Sequence, residues 1–191
     1  RVNGEHALAE GAVTLAEHAR ADGIETAAFV SCDVLAPAFG LAQGFERYSV
    51  PDEPRAARSG GGQERTADAT IDAALAWLGA RDPARPYLLW VHLFDAHAPH
   101  NPPPELAARF PTPYLAEGAA MDRALARLFA ALDAPGAGPP PFVLVVGDHG
   151  EAFGEHGEHG HGLLCHEATL RVPLLARWPD RRRAGERSSE L

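Results

Sequence analysis

Apolar positions along this chain follow two periods, and the alternation between them sets out the elements. Thr14-x-x-Glu17 forms a capping-box pattern and Gly23 a stop signal, which predicts a helix over roughly 14–22. Ile24–Ser31 (IETAAFVS) then reads as a strand. Ile71, Ala74, Leu75 and Leu78 mark the buried stripe of a helix near 66–79. Tyr87–Phe94 (YLLWVHLF) is a short apolar run set off by Pro83 and Pro86, as expected of a central strand. Met121, Ala124, Leu125, Leu128, Phe129 and Leu132 keep the i, i+3, i+4 spacing and give the clearest amphipathic helix. Phe142–Val146 is the next predicted strand and Val172–Trp178 the last. Breakers separate these elements: a loop over 51–64 (PDEPRAARSGGGQE), a proline-rich loop at Asn101–Pro104, and a linker at Pro135–Pro141.

Helices that alternate with apolar strands predict an α/β fold, a largely parallel sheet flanked by helices. In such sheets ligands sit outside the carboxyl ends of the strands. Three predicted strands end in polar, chemically able residues: Ser31-Cys32-Asp33, Asp95-Ala96-His97 and Asp148-His149.

Composition narrows the picture. The chain has 191 residues and a net charge of −9, and all 17 of its basic residues are Arg. An acidic balance argues against a nucleic-acid surface. The one dense basic run, Arg181-Arg182-Arg183, reads as a solvated turn in a polar C-terminal tail over 181–191, beyond a domain over 1–180. The longest apolar runs, FVLVV and YLLWV, fall far short of the ~20 residues that cross a bilayer. The chain opens on Arg1 with no signal peptide, which leaves an upstream targeting segment or anchor open. Cys32 and Cys165 are isolated and predict neither a disulfide framework nor a cysteine zinc site.

The candidate chemistry concentrates in Phe142–His161 (FVLVVGDHGEAFGEHGEHGH). Asp148 offers oxygen and His149 an imidazole nitrogen, both competent for a divalent metal at a rigid strand end. A satisfied structural pair is the competing reading. His156, His159 and His161 follow in a Gly-rich loop, read either as a solvated His tract or as a loop that folds a second imidazole back to the pocket. His97 precedes a proline turn, where a structural role competes with a catalytic one. His92 lies within a strand and is expected to pack; His100 stands one residue past the turn; His6 and His18 are expected to be exposed.

Taken together, the motifs resemble the sulfatase branch of the alkaline-phosphatase superfamily. The matching stretches, in family order, are Thr14–Glu17 with Gly23–Val30, Phe39–Phe45, Leu89–Pro99, Met121-Asp122-Arg123, and Val145–Glu151 through Gly160-His161-Gly162. The resemblance implies that Asp148 and His149 are late metal ligands. It implies that His97 and His161 are catalytic and substrate-binding, contacting the transferred group or protonating the leaving oxygen. Many sulfatases use Lys near the last position; an imidazole there is closer to the phospho-transfer members.

The implied activity is metal-dependent hydrolysis of sulfuric, phosphoric or phosphonic esters, using one divalent ion (Ca²⁺, Mn²⁺ or Zn²⁺) and leaving room for a second. The implied substrate is a small-molecule, glycan-linked or lipid-linked ester. The family's nucleophile and early acidic ligands are expected upstream of Arg1, because Arg1-Val2-Asn3-Gly4 resembles the segment just after that motif. On this reading the chain holds the later half of the active site and turns over negligibly alone. A phosphoethanolamine-type transferase and a non-catalytic metal-binding protein are the alternatives.

Overall fold

A computed structural model describes residues 6–51 and 64–188. Most of the loop expected at 51–64, and the Arg1–Gly4 segment, lie outside the described residues. The chain forms two compact units, Arg1–Ala137 and Gly138–Leu191, and the division falls inside the expected linker.

The first unit begins with helix α1 (Leu15–Ala21). Its capping box is complete: the Glu17 N–H donates to the Thr14 hydroxyl at 3.1 Å, and the Thr14 N–H donates to the Glu17 carboxylate at 2.8 Å. Strand β1 (Glu25–Phe29) follows, then β2 (Arg47–Ser49), helix α2 (Ala67–Ala80) and strand β3 (Tyr87–Val91). All three strands are parallel, in the order β2-β1-β3, as the pattern predicts. Thr26–Phe29 of the central β1 are all buried, which is why Ala27-Ala28-Phe29 run apolar without alternating.

A short helix α3 (Pro104–Ala107) starts at the end of the expected proline-rich loop, a place where proline suits a first helical turn. Helix α4 (Pro113–Leu132) begins well before the Met121 stripe. Thr112 caps it and Pro113 occupies its first turn. Ile71 of α2 packs with Ala124 and Leu128 of α4, and Phe29 of β1 packs with Ala74 of α2. These contacts use the stripes read from the sequence.

The second unit contains β4 (Val143–Val146), β5 (Ala152–Phe153), β6 (His159–Gly160), a one-turn helix α5 (Glu167–Leu170) and β7 (Leu174–Arg177). Here β4 pairs antiparallel with β7, and β5 with β6. The two-residue strands and α5 carry no periodic signal and were not anticipated. Apolar side chains on β4 and β7, including Leu144, Val146 and Leu174, are more than half exposed, so burial does not account for their apolar character here. Residues 181–188 are exposed, and among the described residues no helix is long and apolar enough to cross a membrane.

Candidate active site

Strand β4 runs into Gly147, whose N–H donates to the Pro173 carbonyl at 3.1 Å and so prolongs the pairing with the β7 side. The Asp148-His149-Gly150 turn begins there. Gly150 comes so close to α5 that a Cβ would stand 2.1 Å from the Ala168 carbonyl oxygen, and its N–H donates to Thr169 O at 2.8 Å. The glycine after the Asp-His pair is thus required by close approach, and that approach fixes where the pair emerges.

The Asp148 carboxylate is 82 % exposed. His149 Nδ1 is 2.7 Å from the Gly150 carbonyl oxygen. A carbonyl can only accept, so Nδ1 carries the proton and Nε2 of the neutral ring carries the lone pair. A metal-ligating histidine is held in this way, with its other nitrogen donating to a backbone carbonyl. His149 Nε2 and Asp148 Oδ1 are 3.9 Å apart. Tetrahedral ligands ~2.0–2.2 Å from one ion lie ~3.4 Å apart, so a small rotation of the exposed Asp148 carboxylate would let one Zn²⁺-sized ion engage both. A nitrogen beside a carboxylate oxygen suits Zn²⁺ or Mn²⁺ well, and Ca²⁺ less. Among the described residues no group of three or more His, Cys, Asp or Glu is arranged around one point, so an ion here would have at most this pair of side chains.

His161 is brought to the same place. Its ring stacks on His149 with centroids 3.9 Å apart and planes 26° from parallel. Its Nδ1 lies 3.3 Å from Oε1 of the largely buried Glu151 carboxylate. The Gly-rich loop therefore does fold back, and for His161 the contact reading wins over the solvated tract. His156 goes elsewhere: in a left-handed conformation (φ 55°), its ring stacks on His166 at 4.0 Å.

One residue organises this loop without having been singled out. Glu158 is 5 % exposed, and its Oε1 accepts the N–H groups of Leu163 and Leu164 at 3.2 and 3.1 Å. It ties down the chain just after His161. The available signal was weak: an acidic residue inside a Gly/His repeat looks solvated.

His97 belongs to the first unit, on the turn that leaves β3. Its ring stacks on Phe94 at 4.3 Å, and its Nδ1 lies 2.6 Å from the Ala98 carbonyl oxygen, again placing the lone pair of a neutral ring on Nε2. His92 packs among aromatic rings near Trp90 and Phe94, and His6 and His18 are exposed, each as expected. Glu117 of α4, unremarked in the sequence, is buried and receives His100 Nδ1 at 2.7 Å. Its signal was present: Glu117 falls on the apolar stripe of α4, three and seven positions before the buried Ala120 and Ala124.

Cys32 is not placed as a nucleophile. Cys32 is buried, and burial pushes its thiol up to about 12, so it is not a thiolate at neutral pH. Cys165 is exposed, and it precedes His166 at the N-cap of α5.

Comparison with known proteins gives the family and the fold. The sulfatase family model matches residues 3–191. Mouse steryl-sulfatase is 33% identical over 112 residues, covering 52% of this chain and 18% of that protein. The fold is similar to that of the phosphonate monoester hydrolase of Agrobacterium radiobacter, with TM-score 0.72, 18% identity, and coverage of 93% of this chain and 55% of that one. It is also similar to a protein solved with its substrate D-glucosamine-2-N,6-O-disulfate, with TM-score 0.68, 16% identity, and coverage of 93% and 57%. This chain thus spans a fifth of the curated relative and little more than half of the solved ones. By the match of the family model to nearly its whole length, the chain belongs to the sulfatase family.

Proposed function

We propose that this chain supplies the Asp148-His149 metal ligands and the His97 and His161 imidazoles of a metal-dependent ester hydrolase, with sulfuric esters as its substrates. The observation that carries the reading is the Asp148–His149–His161 cluster at the end of β4. There a carbonyl-held imidazole and an exposed carboxylate stand within one ion's reach, in a chain of the sulfatase family. A bound divalent ion would polarise the attacking group and offset charge on the sulfuryl oxygens. His161, stacked on His149 and backed by Glu151, would donate a hydrogen bond to one of those oxygens. His97, once it also carries a proton on Nε2, would pass that proton to the leaving alcohol oxygen, a task for which imidazole is suited. The 33% identity to a steryl-sulfatase supports the sulfuric over the phosphoric ester.

Buried Cys32 does not suit the attacking role, and we expect the 191-residue chain alone to hydrolyse 4-nitrophenyl sulfate negligibly. The direct test is a Mn²⁺ and Zn²⁺ titration by calorimetry. Asp148→Ala and His149→Ala should each weaken binding about 10–100-fold while leaving the fold intact. Equal affinity in wild type and both variants would remove the metal site.

A further inference from the structure

We propose that His100 is a further substrate-facing imidazole, held by Glu117 through Nδ1–H and, in its imidazolium form, donating Nε2–H to an oxygen of the anionic ester group. This rests on the reading of His97 given above and adds a second donor on the same turn.

The Glu117 carboxylate, 1 % exposed, must have its oxygens satisfied, because an unpaired buried charge is costly. Both are: Oε2 faces His100 Nδ1 at 2.7 Å and Oε1 accepts the Asn101 N–H at 2.6 Å. A carboxylate accepts, so His100 Nδ1 is the protonated nitrogen and Nε2 the outward one. The Tyr114 ring meets the imidazole edge-on, at 5.6 Å and 70°, and fixes its plane. The His100 side chain is 17 % exposed, and Nδ1 is the nitrogen turned inward to Glu117.

Position supplies the function. The turn carrying His97 and His100 leaves the carboxyl end of β3, the end at which parallel sheets bind ligands. His97 and His100 both spend Nδ1 on an oxygen of the protein, at 2.6 and 2.7 Å. His100 therefore has Nε2 as the atom it can turn to a ligand. A buried carboxylate that orients an imidazole through Nδ1 while Nε2 does the contacting is the logic of a His-carboxylate pair in catalysis. A clamp alone would need only one N–H at the Nδ1 position, and an asparagine would serve.

That difference gives the test. His100→Asn keeps an N–H donor where Nδ1 stands and removes Nε2. Inorganic sulfate and phosphate are titrated into the full chain with ¹⁵N-labelled histidines, following the ring signals. The expected result is that the His97 and His100 rings both respond in the unmodified chain. His100→Asn should then unfold at the same urea concentration as wild type but bind either anion about tenfold more weakly, the loss of one hydrogen bond to a charged group.

If His97 responds but His100 does not, and His100→Asn binds as wild type, His100 is only a clamp and the inference falls while the function stands. If neither ring responds, the role given to His97 falls and this inference falls with it. Should His100→Asn fail to fold, the ring response of the unmodified chain decides.

Discussion

The two units of this molecule hold their order by different means. In the first, β1 is sealed on both faces, and Phe29, Ile71, Ala74 and Ala124 are buried in clusters joining the sheet to α2 and α4. In the second, β4 and β7 leave Leu144, Val146 and Leu174 largely exposed, and the loops are set by directed contacts. Glu158 takes two backbone N–H groups, Thr169 donates to Leu164 and His166 carbonyls, and Gly150 lies against Ala168. Apolar burial is shared among many side chains, whereas each polar contact is specific to one. The candidate site's Asp148, His149 and His161 therefore depend on a few residues that can each be removed singly.

The largest expected effect tests the first half of that contrast. Phe29→Ala should cost about 3–5 kcal/mol in urea unfolding, from lost transfer energy plus the cavity left behind. Next in size is Gly150→Ala, about 1–3 kcal/mol, because backbone rather than a mobile side chain blocks the new Cβ. Glu158→Ala should cost about 1–3 kcal/mol for two orphaned N–H groups. It should also raise amide hydrogen exchange over the Glu158–Cys165 stretch and disturb the His161 ring signal. If exchange rose equally throughout the first unit, or if Glu158→Ala destabilised as much as Phe29→Ala, the contrast would collapse.

The same contrast decides what could be read from the sequence. The stripes on α2 and α4 and the apolar run of β1 were legible because burial imposes a period on side chains. The Thr14–Glu17 box was legible because a cap is a local arrangement of a few residues. In the second unit β5 and β6 are two residues each, too short for any period, and α5 is a single turn. Asp148 and His149 could be singled out because they follow a strand. The stack of His161 on His149 depends on how glycines at positive φ reverse the chain, which side-chain pattern does not encode. Glu117 lay on a legible stripe but ran against its polarity. That kind of conflict between local pattern and burial is where functional groups are expected.

The smallest effect compares the two cysteines, one in each unit. Cys32 is buried and Cys165 exposed. Iodoacetamide at pH 8 should label Cys165 readily and Cys32 only when the first unit opens, because the thiolate is the reactive form and burial disfavours it. A pH dependence follows from the same burial. The Cys32 thiol is raised from 9.0 to about 12, and the Tyr48 hydroxyl, also by burial, from 10.0 to about 12. Between the unfolded and folded values the unfolded chain has already lost protons that the folded chain keeps, so stability falls as pH rises. The contribution is whole below pH ~9 and gone above ~12. Urea midpoints should thus be level at neutral pH with respect to these groups and decline between pH 9 and 12, with a shallower decline in Cys32→Ala. Equal labelling of both cysteines in the folded chain, together with an unchanged alkaline slope in Cys32→Ala, would mean that the end of β1 is not sealed. The first unit would then share the open character of the second.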